Sequence, residues 1–437
     1  MNTKHCTLLL LLCAPTINYA QPGRLMDRLR NTANATFERK ADALVADKTE
    51  DAFDDATQTQ EKDTKNKNSK NATSQNQQAQ SKEAATGASS NSLKAYSRFD
   101  FVPGSKIVYA ENFSGDAIGE LPLRWTTKGK GELMQVDGLP GKWLRGFKES
   151  EIVSVNKQTL GEDYTIEFDL VYMFNTVEAV YVMPDLRIRV LNNYPPSTSG
   201  NPRNGENSFI INIHPKPEKS LAWIETYLDG PVFQGNNMEI PFFSATYNKV
   251  QHYSIQVQKG RLRVWIDQHK IFDMPDVVNT SKKMARIGFE LGHTSYSEDE
   301  VGYFVSNIKF AAGAPDTRHK LMNEGVYNTT GIHFAVNKAE VLPQSYGVLK
   351  EIASIMKENA TVRISITGHT SSDGTAAGNL ALSKTRAEAI KQVLTNEFGI
   401  DASRMETDGK GDTQPAATNN TEEGRAQNRR VTFMKLK

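Results

Sequence analysis

The chain has 437 residues, with 52 lysines and arginines against 51 aspartates and glutamates, and a formal net charge of +1 at pH 7. This length predicts two or three domains, because a single hydrophobic core rarely extends beyond about 250–300 residues. The balanced charge lacks the basic excess typical of nucleic-acid-binding proteins, so we expect no nucleic-acid partner.

The N-terminus predicts a secretory signal peptide over residues 1–20. Lys4 supplies the positive charge, Leu8–Leu12 form the apolar centre, and a small residue, Ala20, closes the segment. The apolar run is too short to span a membrane as a helix. Both cysteines of the chain lie in this segment, so the secreted chain would contain no disulfide. Lipidation of Cys13 is an alternative, which the bulky residue before it disfavours.

Residues 21–95 predict a disordered tether. From Ala56 to Ser92 the chain consists mainly of Gln, Asn, Ser, Thr, Lys and Ala, with almost no large apolar side chain. Such a segment cannot bury enough apolar surface to offset the conformational entropy lost on ordering. We therefore expect it to act as a flexible spacer before the first folded domain.

Residues 96–313 predict one all-β domain, a jelly-roll sandwich of two sheets. Short runs of alternating or β-branched residues are separated by Gly, Pro, Asn and Asp. In Tyr164–Leu170 the apolar side chains share one face and the charged ones the other, and Lys259-Gly260 marks a hairpin turn. The predicted strands are Lys106–Tyr109, Tyr164–Val171, Leu186–Leu191, Ser208–Ile213, Tyr253–Val257, Arg261–Ile266 and Val305–Phe310.

The all-β region offers no convincing catalytic site. Glu167 and Asp169 point to one face of a strand, as paired glycosidase carboxylates could, but no E-x-D-x-x-E pattern accompanies them. We interpret this face as solvated. Four aromatic residues are interpreted as core first and sugar-stacking surface second: Trp125, Trp143, Trp223 and Trp265. Four histidines lack metal-ligand spacing, so no metal or cofactor is expected: His214, His252, His269 and His293.

Residues 325–437 predict a second domain, of α+β class and βαβαβ type, after a linker at 314–324. Apolar residues recur at helical spacing between Pro343 and Lys357, and Gly399 ends the next helix. The predicted elements, in order, are a strand, a helix, a strand, a helix and two further strands: Ile332–Val336, Pro343–Lys357, Thr361–Gly368, Asn379–Phe398, Arg404–Gly409 and Arg429–Leu436.

Polar residues gather between the second strand and the second helix of this domain. Thr370, Ser371 and Asp373 lie in a glycine-containing turn, and Asn379 and Arg386 follow at turn-like spacing on the helix. A helix N-terminus offers unpaired N–H groups to an anionic ligand group, and an arginine can hold a carboxylate at two points. The pattern indicates a receptor for a small carboxylate-bearing ligand, with no catalytic residues.

The blocks GHTSSDGTAAGNLALSKTRA, at 368–387, and GRAQNRRV, at 424–431, resemble the OmpA-like C-terminal domain, the peptidoglycan-binding module of Gram-negative envelope proteins. Matches over separated blocks in one register are far more specific than one short motif. The resemblance implies that Arg386 holds a carboxylate of the diaminopimelate residue in the stem peptide. It also implies that three further residues line the same pocket: Thr370, Asn379 and Arg429.

The chain departs from the family pattern at Ser371, where the family has an aspartate that accepts the ligand's ammonium group. A hydroxyl can accept one hydrogen bond but cannot offset the ammonium charge. Asp373, two residues on, is the nearest replacement. We favour retained peptidoglycan binding, and the alternative is that the domain survives as a packing or dimerisation module.

The sandwich carries a second resemblance. HYSIQVQKGRLRVWIDQHKIFDMP and VSNIKFA are similar to paired strands of concanavalin-like or laminin-G-like jelly rolls, and ENFSGDAIGELPLRW resembles the sandwich before OmpA-like modules in some Bacteroidetes-type proteins. Together the patterns predict a non-catalytic envelope protein of the periplasm or outer membrane, whose sandwich contacts a glycan or another envelope component. The alternative is a glycan-acting enzyme that the C-terminal domain localises.

Overall fold

The computed structural model describes residues 99–156, 158–176, 180–192, 206–314 and 316–437. The predicted signal peptide, residues 1–20, and the predicted tether, residues 21–95, lie outside this described part. No helix within it is both long and apolar enough to cross a bilayer.

The first folded region consists of β-strands. Their bounds are β1 Lys106–Glu111, β2 Trp125–Lys128, β3 Gly131–Met134, β4 Trp143–Gly146, β5 Ser150–Ser154, β6 Tyr164–Phe174, β7 Leu186–Asn192, β8 Asn207–His214, β9 Ser220–Leu228, β10 Pro231–Gln234, β11 Met238–Ile240, β12 Gln251–Gln258, β13 Arg261–Ile266, β14 His269–Met274, β15 Met284–Leu291 and β16 Val301–Ala312.

These strands form two antiparallel sheets. One sheet has eight strands in the order β14-β13-β12-β6-β16-β4-β3, with β1 paired to β16. The other has the order β10-β9-β8-β7-β15, with β11 paired to β9. A short β2–β5 ladder lies beside β15.

The two sheets enclose one hydrophobic core, as the strand alternation predicts. Ile166 and Phe168 of β6 and Ile188 and Val190 of β7 are fully buried in the same cluster. Each of the seven predicted strands falls within one observed strand. The predicted hairpin turn is also present, because Lys259 and Gly260 have φ values of 47° and 84°, as a tight two-residue turn between β-strands requires.

The C-terminal domain contains four strands and three longer helices. Their bounds are β17 Val326–Thr329, α1 Tyr346–Glu358, β18 Ile364–His369, α2 Ala376–Asn396, β19 Met405–Gly411, α3 Glu422–Asn428 and β20 Val431–Lys435. The strands form one sheet in the order β17-β20-β18-β19. β18 and β19 are parallel, and the other pairs are antiparallel. The core of the domain combines apolar residues of the sheet and of α1, such as Ile352, Ile364, Ile366 and Phe433.

The start of this domain differs from the sequence prediction. The strand predicted at Ile332–Val336 is wrong, because the first strand is β17 and the later segment makes only an isolated bridge from Phe334 to Val341. The His333 N–H donates to the Ser345 hydroxyl at 2.8 Å, so a side chain satisfies the backbone there. Residues 317–324, in the predicted linker, are helical, and Leu321 among them is buried in the domain core.

The segment before β1 packs against the C-terminal domain. Val102 is buried in that domain's core cluster, and a Cβ atom on Gly331 would lie 2.6 Å from the ring of Pro103. A Cβ atom on Gly347, in α1, would lie 1.9 Å from the Phe101 carbonyl oxygen. The chain therefore passes over the C-terminal domain before it enters the sandwich.

Helix α3 makes a second contact, with β1. The Ile107 N–H donates to Gln427 Oε1 at 2.8 Å, and the Ala110 N–H donates to Glu423 Oε1 at 3.2 Å. Arg124, which follows β1, pairs with the same Glu423 oxygen at 2.6 Å. Side chains of one domain thus satisfy backbone groups of the other.

Glu111, buried at the end of β1, makes stability depend on pH. Burial raises its pKa to about 7, even though Arg124 lies 3.7 Å away. Because folding raises this pKa, the contribution of Glu111 to the free energy of unfolding is fully present below the unfolded pKa of 4.5. That contribution is lost as pH rises through about 7. Glu111→Gln should therefore increase the free energy of unfolding at pH 8 by about 1–3 kcal/mol, and by less at pH 5.

Denaturant unfolding at the two pH values measures this difference. Glu120→Gln removes an exposed carboxylate and should leave stability within about 0.5 kcal/mol of the parent at both. The prediction fails for Glu111→Gln if its effect is equal at pH 5 and pH 8.

Candidate functional site

The predicted ligand loop connects β18 to α2. Its first residues are fixed by the sheet, because the Thr370 N–H donates to the Gly411 carbonyl at 2.9 Å. Gly374 has a φ of 88°, and the Thr375 hydroxyl then caps α2 by accepting from the Gly378 N–H at 3.1 Å. The turn therefore has a defined shape on which the polar side chains are mounted.

Ser371 and Asp373 are in direct contact. The Ser371 hydroxyl donates to Asp373 Oδ2 at 2.8 Å, and Arg429 Nη1 lies 3.6 Å from the same oxygen. The Asn379 side-chain amide donates to the Ser371 carbonyl at 3.3 Å and holds the loop to α2. The Asp373 side chain is 65% exposed, so its carboxylate is accessible from solvent above a buried serine.

Thr370 lies at the buried side of this group. Its side chain is 6% exposed, and among the described residues its hydroxyl has no hydrogen-bond partner. The preceding His369 is neutral at physiological pH, because burial, with Arg430 and Lys410 nearby, lowers its pKa to about 4. Thr370 therefore contributes an unbonded hydroxyl to the loop, and the His369 imidazole beside it is uncharged.

Arg386 lies on α2 and contacts a different segment. Its guanidinium stands 4.7 Å from the centre of the Phe334 ring, and its Nε donates to the Lys338 carbonyl at 3.2 Å. Burial lowers its pKa, although an arginine so placed stays charged. No described residue takes a hydrogen bond from its Nη atoms, so both remain available to a carboxylate.

The contacts thus connect four of the six predicted site residues: Ser371, Asp373, Asn379 and Arg429. Thr370 adjoins them in the chain, whereas the contacts of Arg386 go to Phe334 and Lys338.

Sequence reasoning missed Glu422, which fixes Arg429. Its Oε1 accepts from Arg429 Nη2 at 2.6 Å and from the Asn112 side chain of the sandwich at 3.0 Å. Glu422 is the first residue of α3, after the capping Thr421. A threonine followed by two glutamates is a recognisable helix start, and this signal could have located α3.

The sandwich face that carries Glu167 is not solvated, so that interpretation is wrong. Glu167 is 2% exposed, because His333 of the C-terminal domain lies over it, with Nε2 3.0 Å from Glu167 Oε1. Trp125, Trp143 and Trp265 are also buried. Trp223 is half-buried, and its indole N–H donates to Glu225 at 2.8 Å.

Comparison with known proteins identifies the C-terminal domain. A model of the OmpA family matches residues 333–429. Outer membrane porin F of Pseudomonas aeruginosa is 42% identical over 100 residues, which are 23% of this chain and 29% of that protein. The peptidoglycan-binding protein ArfA of Mycobacterium tuberculosis is 35% identical over 100 residues, which are 23% of this chain and 30% of that protein.

Among solved structures, the peptidoglycan-associated lipoprotein from Burkholderia pseudomallei matches at 31% identity, with a TM-score of 0.23, over 24% of this chain and 88% of that chain. The chain spans less than a third of the length of porin F and ArfA. Residues 333–429 are therefore an OmpA family domain, which is similar in sequence to part of an outer membrane porin and part of a peptidoglycan-binding protein.

Proposed function

We propose that this chain is a non-catalytic envelope protein that binds peptidoglycan through its OmpA family domain. In this proposal Arg386 holds a carboxylate of diaminopimelate, and Asp373 accepts its ammonium group in place of the aspartate that Ser371 replaces. The chain would be exported by its N-terminal signal and act in the periplasm, associated with the outer membrane.

The contact between Ser371 and Asp373 carries the proposal. The 2.8 Å hydrogen bond places a carboxylate directly against the residue where the family has its acid. Arg429, 3.6 Å away, offsets part of the negative charge but leaves the carboxylate 65% exposed. A diaminopimelate side arm carries an ammonium and a carboxylate on one carbon, so an exposed acid and an arginine with unused Nη atoms are complementary to its two charges.

Cosedimentation of the full chain with purified peptidoglycan tests the proposal. We expect sedimentation with diaminopimelate-containing peptidoglycan and much less with peptidoglycan that has lysine in its place. Lysine lacks the second carboxylate, so this ligand pair isolates the contact assigned to Arg386. Equal sedimentation with both, or with neither, would contradict the proposal.

Asp373→Ala should weaken binding about five- to thirtyfold, because it removes the only charge assigned to the ligand's ammonium group. Ser371→Asp, which restores the family acid, should tighten binding by the parent chain and rescue Asp373→Ala. Sedimentation isotherms measure both effects. Ser372→Ala is the matched control and should bind like the parent, because Ser372 is exposed and its side chain makes no hydrogen bond to a described residue. Unchanged binding by Asp373→Ala would assign the ammonium contact elsewhere.

We further infer that the sandwich is a binding module for a glycan or another envelope component. Trp223, Glu225 and Tyr227 alternate along β9, and the glutamate accepts from both aromatic side chains at 2.8 and 2.7 Å. Aromatic faces beside a fixed carboxylate suit a sugar or a polar peptide. The same cosedimentation reactions, assayed for released sugars, should show none. Release would instead support a glycan-acting enzyme.

A further inference from the structure

Three potential metal ligands converge where the sandwich meets the OmpA family domain. Glu167 lies on β6, His252 lies on β12, and His333 precedes α1. Each offers one ligand atom, and these atoms lie within 4.8 Å of one another. His333 Nε2 is 3.0 Å, and His252 Nε2 is 3.4 Å, from Glu167 Oε1. In a tetrahedral site with metal bonds of about 2.0–2.1 Å, neighbouring ligand atoms are about 3.3 Å apart, which is close to both of these distances to Glu167 Oε1.

Two of these atoms are buried and unsatisfied. Glu167 Oε1 and His252 Nε2 have no hydrogen-bond partner among the described residues. Their residues are 2% and 7% exposed, so water offers little compensation. Buried polar atoms without partners are costly, and such a pair in a folded core points to a missing ligand.

The surrounding contacts orient His252 as a metal ligand. Asp169 Oδ1 lies 2.7 Å from His252 Nδ1, and the Asn307 side chain fixes the other oxygen of Asp169 at 2.7 Å. A proton held on Nδ1 leaves Nε2 as the electron-pair donor facing the cluster. Metal-bound imidazoles usually donate their other ring N–H to a carboxylate or a similar acceptor, as His252 would donate to Asp169 here.

The charges of the cluster favour a cation. Glu167 and Asp169 supply two carboxylates, and Lys309 Nζ, 3.2 Å from Glu167 Oε2, offsets one of them. Burial lowers the pKa of His252, but the negative charges of Asp169 and Glu167 beside the ring raise it overall to about 9. A proton on His252 would therefore compete with a metal ion for Nε2. The alternative to a metal site is a cluster of charged side chains that binds no metal.

We propose that Glu167, His252 and His333 bind one divalent transition-metal ion, with Zn²⁺ the best chemical match, and that this ion joins the sandwich to the OmpA family domain. Two imidazoles and one carboxylate suit zinc and leave a fourth position for water. The His333 side chain is 19% exposed and provides the approach for the ion. Because the ligands come from both domains, bound metal should stabilise their contact.

Metal titration of the full chain, after treatment with a chelator, tests the proposal. Calorimetry with Zn²⁺ should show one ion per chain, and Co²⁺ should give the intense visible absorption of a tetrahedral site. His333→Gln and His252→Gln should each weaken metal binding by more than about 100-fold. Loss of a residue that only hydrogen-bonds to a metal ligand typically costs about 10–100-fold, and these variants lose a ligand itself. Zn²⁺ should raise the unfolding temperature of the parent and have little effect on that of these variants.

Two further variants distinguish a built site from adventitious binding. His293→Gln removes a histidine whose side chain is 77% exposed, and it should bind the ion like the parent. Lys309→Met leaves every ligand in place, removes the positive charge that lies 3.2 Å from Glu167 Oε2, and should tighten metal binding. The proposal is wrong if the parent binds no ion at one per chain, or if folded His333→Gln and His252→Gln bind it as tightly as the parent.

Discussion

Replacement of Arg386 by alanine should weaken binding to diaminopimelate-containing peptidoglycan by about 10–150-fold, because a charge-assisted hydrogen-bonding contact contributes about 1.5–3 kcal/mol. Its Nη atoms have no bond to any described residue, and its Nε is fixed by the Lys338 carbonyl at 3.2 Å. The guanidinium is therefore already held in place for a carboxylate, and water cannot reproduce a two-point contact.

Cosedimentation isotherms measure this loss, and circular dichroism checks that the domain stays folded. Lys384→Ala is the matched control, since it removes a positive charge from an exposed position of the same helix, two residues earlier. We expect the control to bind within about twofold of the parent, as surface substitutions usually cost under 0.5 kcal/mol. A folded Arg386→Ala variant with parental affinity would rule out the assigned role.

Gly424→Ala should destabilise the protein by about 1–3 kcal/mol or more, because a Cβ atom there would lie 1.8 Å from the Thr418 carbonyl oxygen. Backbone cannot yield as a flexible side chain does, so α3 must move. The helix carries Glu422 and Glu423, which hold Arg429 and Arg124. Peptidoglycan binding should therefore fall together with stability.

Urea unfolding and cosedimentation together measure the effect of Gly424→Ala. Gly115→Ala is the control, since nothing lies within 4 Å of a Cβ atom at that position, and its stability should stay within about 0.5 kcal/mol of the parent. Parental stability of Gly424→Ala would mean that the Thr418 backbone relaxes at no cost.

Local patterns were sufficient where burial repeats along the chain. The alternation in Tyr164–Leu170 predicted the core face of β6, and the helical spacing of Val348, Ile352 and Ile355 predicted the buried face of α1. The glycine-containing turn predicted the loop that brings Ser371 and Asp373 together.

The failures arise where distant parts of the chain decide the structure. The alternation along β6 predicts that the Glu167 side chain points away from the sandwich core, but it cannot reveal that His333 covers this face of the sheet. The segment around His333 was predicted as a strand, but the backbone N–H of His333 donates its hydrogen bond to the Ser345 hydroxyl and not to a neighbouring strand. Helix α3 has seven residues, too few for an apolar period to be read.

The contact of α3 with β1 has a consequence for how the sandwich behaves alone. Among the described strands β1 pairs with β16 alone, and Gln427 and Glu423 accept hydrogen bonds from its outward N–H groups at Ile107 and Ala110. Without the OmpA family domain, that border of the eight-stranded sheet would offer free backbone groups to any other extended chain. The C-terminal domain thus shields the sandwich from strand addition and self-association, as well as attaching it to the cell wall in the proposed function.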